Sequence, residues 1–93
     1  MKTYQFEATI QASQVGKGGA YVEFPYDLRT EFGRGRVKVY ATFDGVPYDG
    51  SIVNMGVKHA DGSICYILGI LKAIRQTLDK DIGDTVQVEV TPR

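Results

Sequence analysis

"ILKAIRQTLDKDIGDTVQVEV" (residues 70–90) sets out the fold in miniature. Ile70, Leu71, Ile74 and Leu78 recur at helical spacing as an apolar stripe, with Lys72, Arg75, Gln76 and Asp79 opposite. Gly83-Asp84 breaks the chain, and Val86, Val88 and Val90 then alternate with Thr85, Gln87, Glu89 and Thr91, as in a half-buried strand. The same order of helix, glycine break and valine strand occurs upstream in "FPYDLRTEFGRGRVKVYAT" (residues 24–42). There Pro25 is suited to the first position of a helix, Asp27 lies near its positive end, and Leu28 and Phe32 pin its inner face. Gly33 and Gly35 end it before the alternating Val37, Val39, Ala41 and Phe43.

Laying residues 21–32 on residues 67–78 aligns Val22 with Leu68, Phe24 with Ile70, Leu28 with Ile74, Arg29 with Arg75 and Phe32 with Leu78. After three extra residues in the second copy, Val37, Val39 and Ala41 fall on Val86, Val88 and Val90. Arg29/Arg75 is the single identity in the helix block, so the agreement lies in hydrophobic register. Each half, about 1–45 and 46–93, reads strand, strand, helix, strand, and neither can cover its own apolar face. Packed about a pseudo-twofold axis, the halves predict one domain over residues 1–93: a mainly β, six-stranded barrel capped by two short helices.

The other segments fit that plan. Tyr4, Phe6, Ala8, Ile10 and Ala12 share one face of a first strand, "SQVGKGG" (13–19) reads as a hairpin loop, and Ala20, Val22 and Phe24 alternate in a second strand. Asp44-Gly45 predicts a tight hairpin into a strand over residues 46–53, where Pro47 and Gly50 suggest an edge or a bulge. "HADGS" (59–63) is a turn, and "ICYIL" (64–68) reads as a strand covered on both faces.

Ninety-three residues support one small core, to which burial in a dimer or against another domain would add stability. Eleven basic and eleven acidic side chains give zero formal charge, which removes the bulk attraction that most nucleic-acid binders use. The N-terminus alternates in polarity instead of forming an apolar leader, and residues 64–71, the longest apolar stretch, are too short to span a bilayer. With one cysteine there is no intramolecular disulfide, and the expected setting is a reducing cytoplasm.

The segments "VEFPYDLR", "VYATFDGVPYDGSI" and "LGILKAIRQTLDKDIGDTVQVEV" together resemble the DUF1905 family, small bacterial domains of unknown function. The last segment, with Lys72, Arg75, Gly83, Asp84 and Val86 in order, carries the most specific part of the likeness. The resemblance implies a double-split β-barrel related to the swapped-hairpin fold of AbrB- and MazE-type DNA-binding proteins. Some family members carry a further domain, similar to bacteriocin-protection proteins, which a chain ending at Arg93 is expected to lack. No catalytic residues and no cofactor come with the family.

Arg29 and Arg75 are the first residues to weigh, because the repeat places them equivalently on the two caps. Together with Lys72 they suit an anion, although the plainer and favoured expectation is that each arginine ties its helix to a neighbouring carboxylate or to strand-end carbonyls. Arg34, Arg36 and Lys38 in "GRGRVK" are candidates for nucleic-acid contact, or simply the solvated face of a strand. His59 has no partners at metal-ligand spacing, Cys65 sits in the most apolar strand, and a hairpin could bring the two together. Tyr21, Tyr40 and Tyr48 are expected as exposed aromatics or cross-strand partners. Neither "GKGG" nor "GRG" makes a phosphate loop, and the aspartates lack calcium-loop spacing.

Three functions follow as expectations. The first is a non-enzymatic module that binds a partner protein or itself. The second is a nucleic-acid-binding regulator using Arg34, Arg36 and Lys38, and the third is a small-molecule or anion-binding domain using Arg29, Lys72 or Arg75.

Overall fold

A computed structural model describes residues 3–12 and 19–93, so all but Gly19 of the predicted 13–19 loop lies outside the described residues. In chain order the elements are β1 (Tyr4–Thr9), β2 (Gln11–Ala12), β3 (Ala20–Glu23), α1 (Leu28–Phe32), β4 (Arg36–Phe43), β5 (Val46–Val53), β6 (Ile67–Gly69), α2 (Lys72–Leu78) and β7 (Thr85–Pro92). The strands form one antiparallel sheet in the order β1-β7-β4-β5-β6-β3-β2. Its two outermost strands, β1 and β2, are separated in the chain only by Ile10, so the sheet curls into a nearly closed barrel. Seven strands stand where six are expected because Ile10 turns aside to bond the loop before β7. Its N–H donates to the Asp84 carbonyl, and its own carbonyl accepts from Gly83 N–H, both at 2.8 Å.

The ladders keep their pattern when the first half of the chain is exchanged for the second. β1–β7 becomes β5–β4, β2–β3 becomes β5–β6, and β3–β6 and β4–β7 each map onto themselves. Val22 pairs with Leu68, and Ala41 with Val90, so residues aligned in the sequence stand face to face.

The predicted alternation holds in the core. Val37, Val39, Ala41 and Phe43 on β4 and Val86, Val88 and Val90 on β7 are buried, while Leu28 from α1 and Ile74 from α2 join the same cluster. Burying each of the larger side chains stabilises the barrel by about 1.5–3 kcal/mol. Asp44 (φ 48°) and Gly45 (φ 88°) close the β4–β5 hairpin with two positive-φ residues, as the right-handed strand twist favours. Among the described residues no helix is long and apolar enough to cross a membrane.

Several local expectations need correction. Pro25 lies ahead of α1, whose cap is Asp27, accepting at 3.0 Å from Arg29 N–H. Leu71 caps α2 with extended backbone, which takes it off the Ile74 face and leaves it 51% exposed. Arg75, expected on the solvent face, is 6% exposed. Tyr21 is buried and Tyr48 half-buried, leaving Tyr40 as the exposed tyrosine of that group, and Ala12 faces solvent once Ile10 has shifted the register. β5 is flanked on both sides, but it meets β6 only at Ile52 and Val53, so Pro47 and Gly50 lie where one neighbour is missing.

Candidate functional site

The barrel is split at two related places. β1 pairs along its length with β7 alone, and the leading part of β5 pairs with β4 alone. Register makes Tyr48 the counterpart of Tyr4, since they face Ala41 and Val90, which face each other. By the same correspondence Gly50 answers to Phe6, Ile70 to Phe24, Lys72 to Tyr26 and Leu78 to Phe32.

Aromatic rings close the first split. The Tyr4 ring lies 5.6 Å from Phe24, 5.3 Å from Tyr26 and 5.6 Å from Phe32, and Phe6 lies 5.8 Å from Phe24. At the second split the corresponding rings, apart from Tyr48, are replaced by glycine, isoleucine, lysine and leucine. A cleft of about 250 Å³ remains, lined by Tyr48, Gly69, Ile70, Leu71, Lys72 and Arg75, with Gly19 and Ala20 at its margin. The Tyr48 ring lies over Gly50, where an added methyl would come within 2.3 Å of it. Two cations and apolar walls therefore line this cleft, with no acidic side chain among the described lining residues.

Arg75 is fixed from behind. The turn between α2 and β7 folds back over it: Lys80 N–H donates to the Arg75 carbonyl at 2.9 Å, and Arg75 Nη1 donates to Asp81 Oδ1 at 2.8 Å. The Ile82 N–H and then the Arg75 guanidinium hold the Asp81 carboxyl below its ordinary pKa. In the first half Gly33 (φ 70°) ends α1 and the chain soon enters β4, so among the described residues no equivalent turn covers Arg29. Arg29 is exposed, its guanidinium resting against Gly35. The extra residues between α2 and β7 thus make one aligned arginine a buried side chain, while the other stays on the surface.

A larger concavity, about 480 Å³, lies over that same turn and is lined by Lys72, Arg75, Lys80, Asp79, Asp81 and Asp84, among others. Its charges compensate one another, and several already serve the turn. Lys80 pairs with Asp44 and donates to the Thr85 carbonyl at 2.7 Å, and Asp84 accepts from Asp81 N–H at 2.8 Å. Lys72 and Arg75 line both concavities; Asp81 meets Arg75 on the larger side, whereas the smaller cleft shows the two cations beside apolar walls with no acidic side chain among its described lining residues.

Arg36 and Lys38 project from the outer face of β4, as their exposure shows, and Arg34 is exposed in the preceding loop. Tyr40 continues that face, with the Arg93 guanidinium 5.1 Å from its ring centre. The structure therefore separates the two sets of candidates: Lys72 and Arg75 share a cleft, Arg29 stands by α1, and Arg34, Arg36 and Lys38 lie along β4.

The predicted 59–63 turn is the tip of a small hairpin. His59 N–H donates to the Ser63 carbonyl at 2.9 Å, and Cys65 N–H to the Val57 carbonyl at 3.0 Å. This hairpin covers the outer face of β3 and β6, where Tyr21, Cys65 and Ile67 form a second apolar cluster. It brings His59 and Cys65 together with Glu23, a residue that sequence spacing did not associate with them. Glu23 pairs with Ile67 across the β3–β6 ladder, and that register is what places it two residues from Cys65. Burial, and then the Glu23 carboxylate, push the Cys65 thiol up to about 11, so it is not an activated nucleophile.

The model of the DUF1905 family, described as a domain of unknown function, matches residues 6–90. No curated protein matches the chain.

Proposed function

The chain belongs to the DUF1905 family, and we propose that this member is a non-enzymatic binding domain whose site is the cleft at the second split of the barrel. The two halves follow one pattern and each has a cleft beside its helix; in the first, aromatic rings pack behind the cleft and Asp27 stands in it with Arg29, whereas the second presents Lys72 and Arg75 with no acidic side chain among its described lining residues. The carrying observation is that difference between related positions: Phe6, Phe24, Tyr26 and Phe32 on one side, Gly50, Ile70, Lys72 and Leu78 on the other. A packed core does not leave such a gap without losing contact energy, which a ligand can restore.

The lining specifies the ligand's chemistry. Lys72 and Arg75 suit a carboxylate or phosphate, and Tyr48, Ile70 and Leu71 suit an apolar body beside it. A volume of about 250 Å³ is below the ~300–1,000 Å³ of ordinary ligand pockets, so the ligand is small. Of the three functions expected from the sequence, the geometry favours the anion-binding one, with Lys72 and Arg75 in contact and Arg29 outside the site. The domain holds its ligand without transforming it.

A second reading rests on β4. Arg34, Arg36, Lys38 and Arg93 accompany the exposed Tyr40, a basic face with one stacking platform of the kind that single-stranded nucleic acid uses. Thermal denaturation with aromatic carboxylates, phosphate monoesters and short nucleic acids separates the two. Stabilisation by a small anion supports the cleft; stabilisation by nucleic acid alone, fading with salt, supports β4 and rejects the cleft.

A further inference from the structure

The chain contains one histidine and one cysteine, and the fold brings both to the same point. One nitrogen of His59, Sγ of Cys65 and a carboxylate oxygen of Glu23 all lie within 4.8 Å of one another. Cys65 and Glu23 hydrogen-bond each other, and each member of the trio is also held from outside it. Gln11 Nε2 donates to Glu23 Oε1 at 2.6 Å, which orients the carboxylate. Cys65 is 1% exposed in the apolar cluster with Tyr21 and Ile67. His59 sits at the hairpin tip, where Asp61 accepts from the Ser63 backbone and hydroxyl at 2.9 and 2.6 Å and fixes the turn.

From this convergence, which is independent of the cleft at the second split, we propose that Glu23, His59 and Cys65 form a binding site for a borderline transition-metal ion, Zn²⁺ foremost. The donor set selects the ion. Thiolate and imidazole are poor ligands for calcium or magnesium, and one carboxylate cannot build an oxygen cage, whereas zinc accepts sulfur, nitrogen and oxygen together. Metal–ligand bonds of about 2.0–2.3 Å put the donors of a tetrahedral ion roughly 3.5 Å apart, so each donor needs to move by about 1 Å. Rotation of the exposed His59 ring supplies most of that movement. On binding, the Cys65 S–H proton leaves to solvent as the metal–sulfur bond forms, while His59 and Glu23 use lone pairs already present.

Three protein ligands leave a tetrahedral ion one open position. His59 also lines a cleft of about 250 Å³ with Arg29, Tyr26, Ser63, Ile64 and Tyr66. The ion therefore borders a cleft that carries both Arg29 and Asp27, and it ties the 57–65 hairpin to β3. A more rigid hairpin is the structural consequence.

The test uses the untagged full chain, stripped with a chelator and titrated with Co²⁺ as a spectroscopic stand-in for Zn²⁺. The expected result is one equivalent bound, with the visible bands of a tetrahedral ion and a thiolate-to-cobalt charge-transfer band, both erased by Zn²⁺. Cys65→Ser removes the charge-transfer band. Because Cys65 is buried and its replacement can unfold the chain, the deciding variants are His59→Ala and Glu23→Gln at less buried positions, each expected to weaken Co²⁺ binding about 100-fold, and Gln11→Ala, expected to weaken it about 10-fold. An octahedral spectrum without the charge-transfer band, or unchanged affinity in both His59→Ala and Glu23→Gln, overturns the site.

Discussion

Val22 and Leu68 face each other across the β3–β6 ladder, and they are also the residues that superimpose when the two halves of the sequence are aligned. Ala41 and Val90 stand in the same relation across β4 and β7. An axis relating the halves would pass between both pairs, so at the centre of the barrel each half meets the equivalent strand of the other. Leu68 is 1% exposed and Val22 fully buried. Leu68→Ala is expected to cost about 2–5 kcal/mol in urea denaturation. Combined with Val22→Ala, it should show a coupling of roughly 0.5–3 kcal/mol. Strict additivity would mean that the two side chains do not share a packing site.

The aligned arginines should behave differently. Arg75→Ala removes a buried side chain whose aliphatic stem packs beneath the α2–β7 turn, an expected loss of about 1–3 kcal/mol. Arg29→Ala, at the surface, should stay within about 0.5 kcal/mol of the parent. Chemical denaturation of both variants checks the contrast, and equal costs would contradict the asymmetry between the caps.

Stability should fall in acid. Asp44 is held below its ordinary carboxylate pKa by Lys80 and then by the Gln87 N–H, and Asp81 by the Ile82 N–H and then by Arg75. Both bind a proton less readily in the folded chain than in the unfolded one. Their contribution is therefore fully present above the ordinary value of about 3.9 and is lost as pH drops through the lower folded values. Tm measured against pH should decline below about pH 4, and Asp44→Asn should flatten that decline. A level profile, or one that Asp44→Asn leaves unchanged, would count against these interactions.

Much of the fold was legible because alternation reports directly on burial. Val37, Val39, Ala41 and Phe43, and Val86, Val88 and Val90, face inward as read, and Asp44-Gly45 closes the predicted hairpin. What escaped depends on contacts distant in sequence. Helical periodicity alone put Arg75 on the solvent face, because it does not register a turn folding back over the helix. The Glu23, His59 and Cys65 cluster was hidden because Glu23 joins the other two through strand register. The open cleft became visible only when Gly50, Ile70, Lys72 and Leu78 were set against their aromatic counterparts, and that comparison needs the β1 and β5 registers as well as the aligned helices.

The central claim concerns the cleft, and an amide NMR titration with a small aromatic carboxylate or phosphate monoester tests it most directly. Wild-type chain and Lys72→Glu should be compared, since Lys72 is exposed and its charge can be reversed with the fold intact. The expected result is saturable shifts centred on Tyr48, Gly69, Leu71 and Lys72, lost in Lys72→Glu. Shifts confined to Arg36, Lys38 and Tyr40, or unchanged binding by Lys72→Glu, would contradict the account.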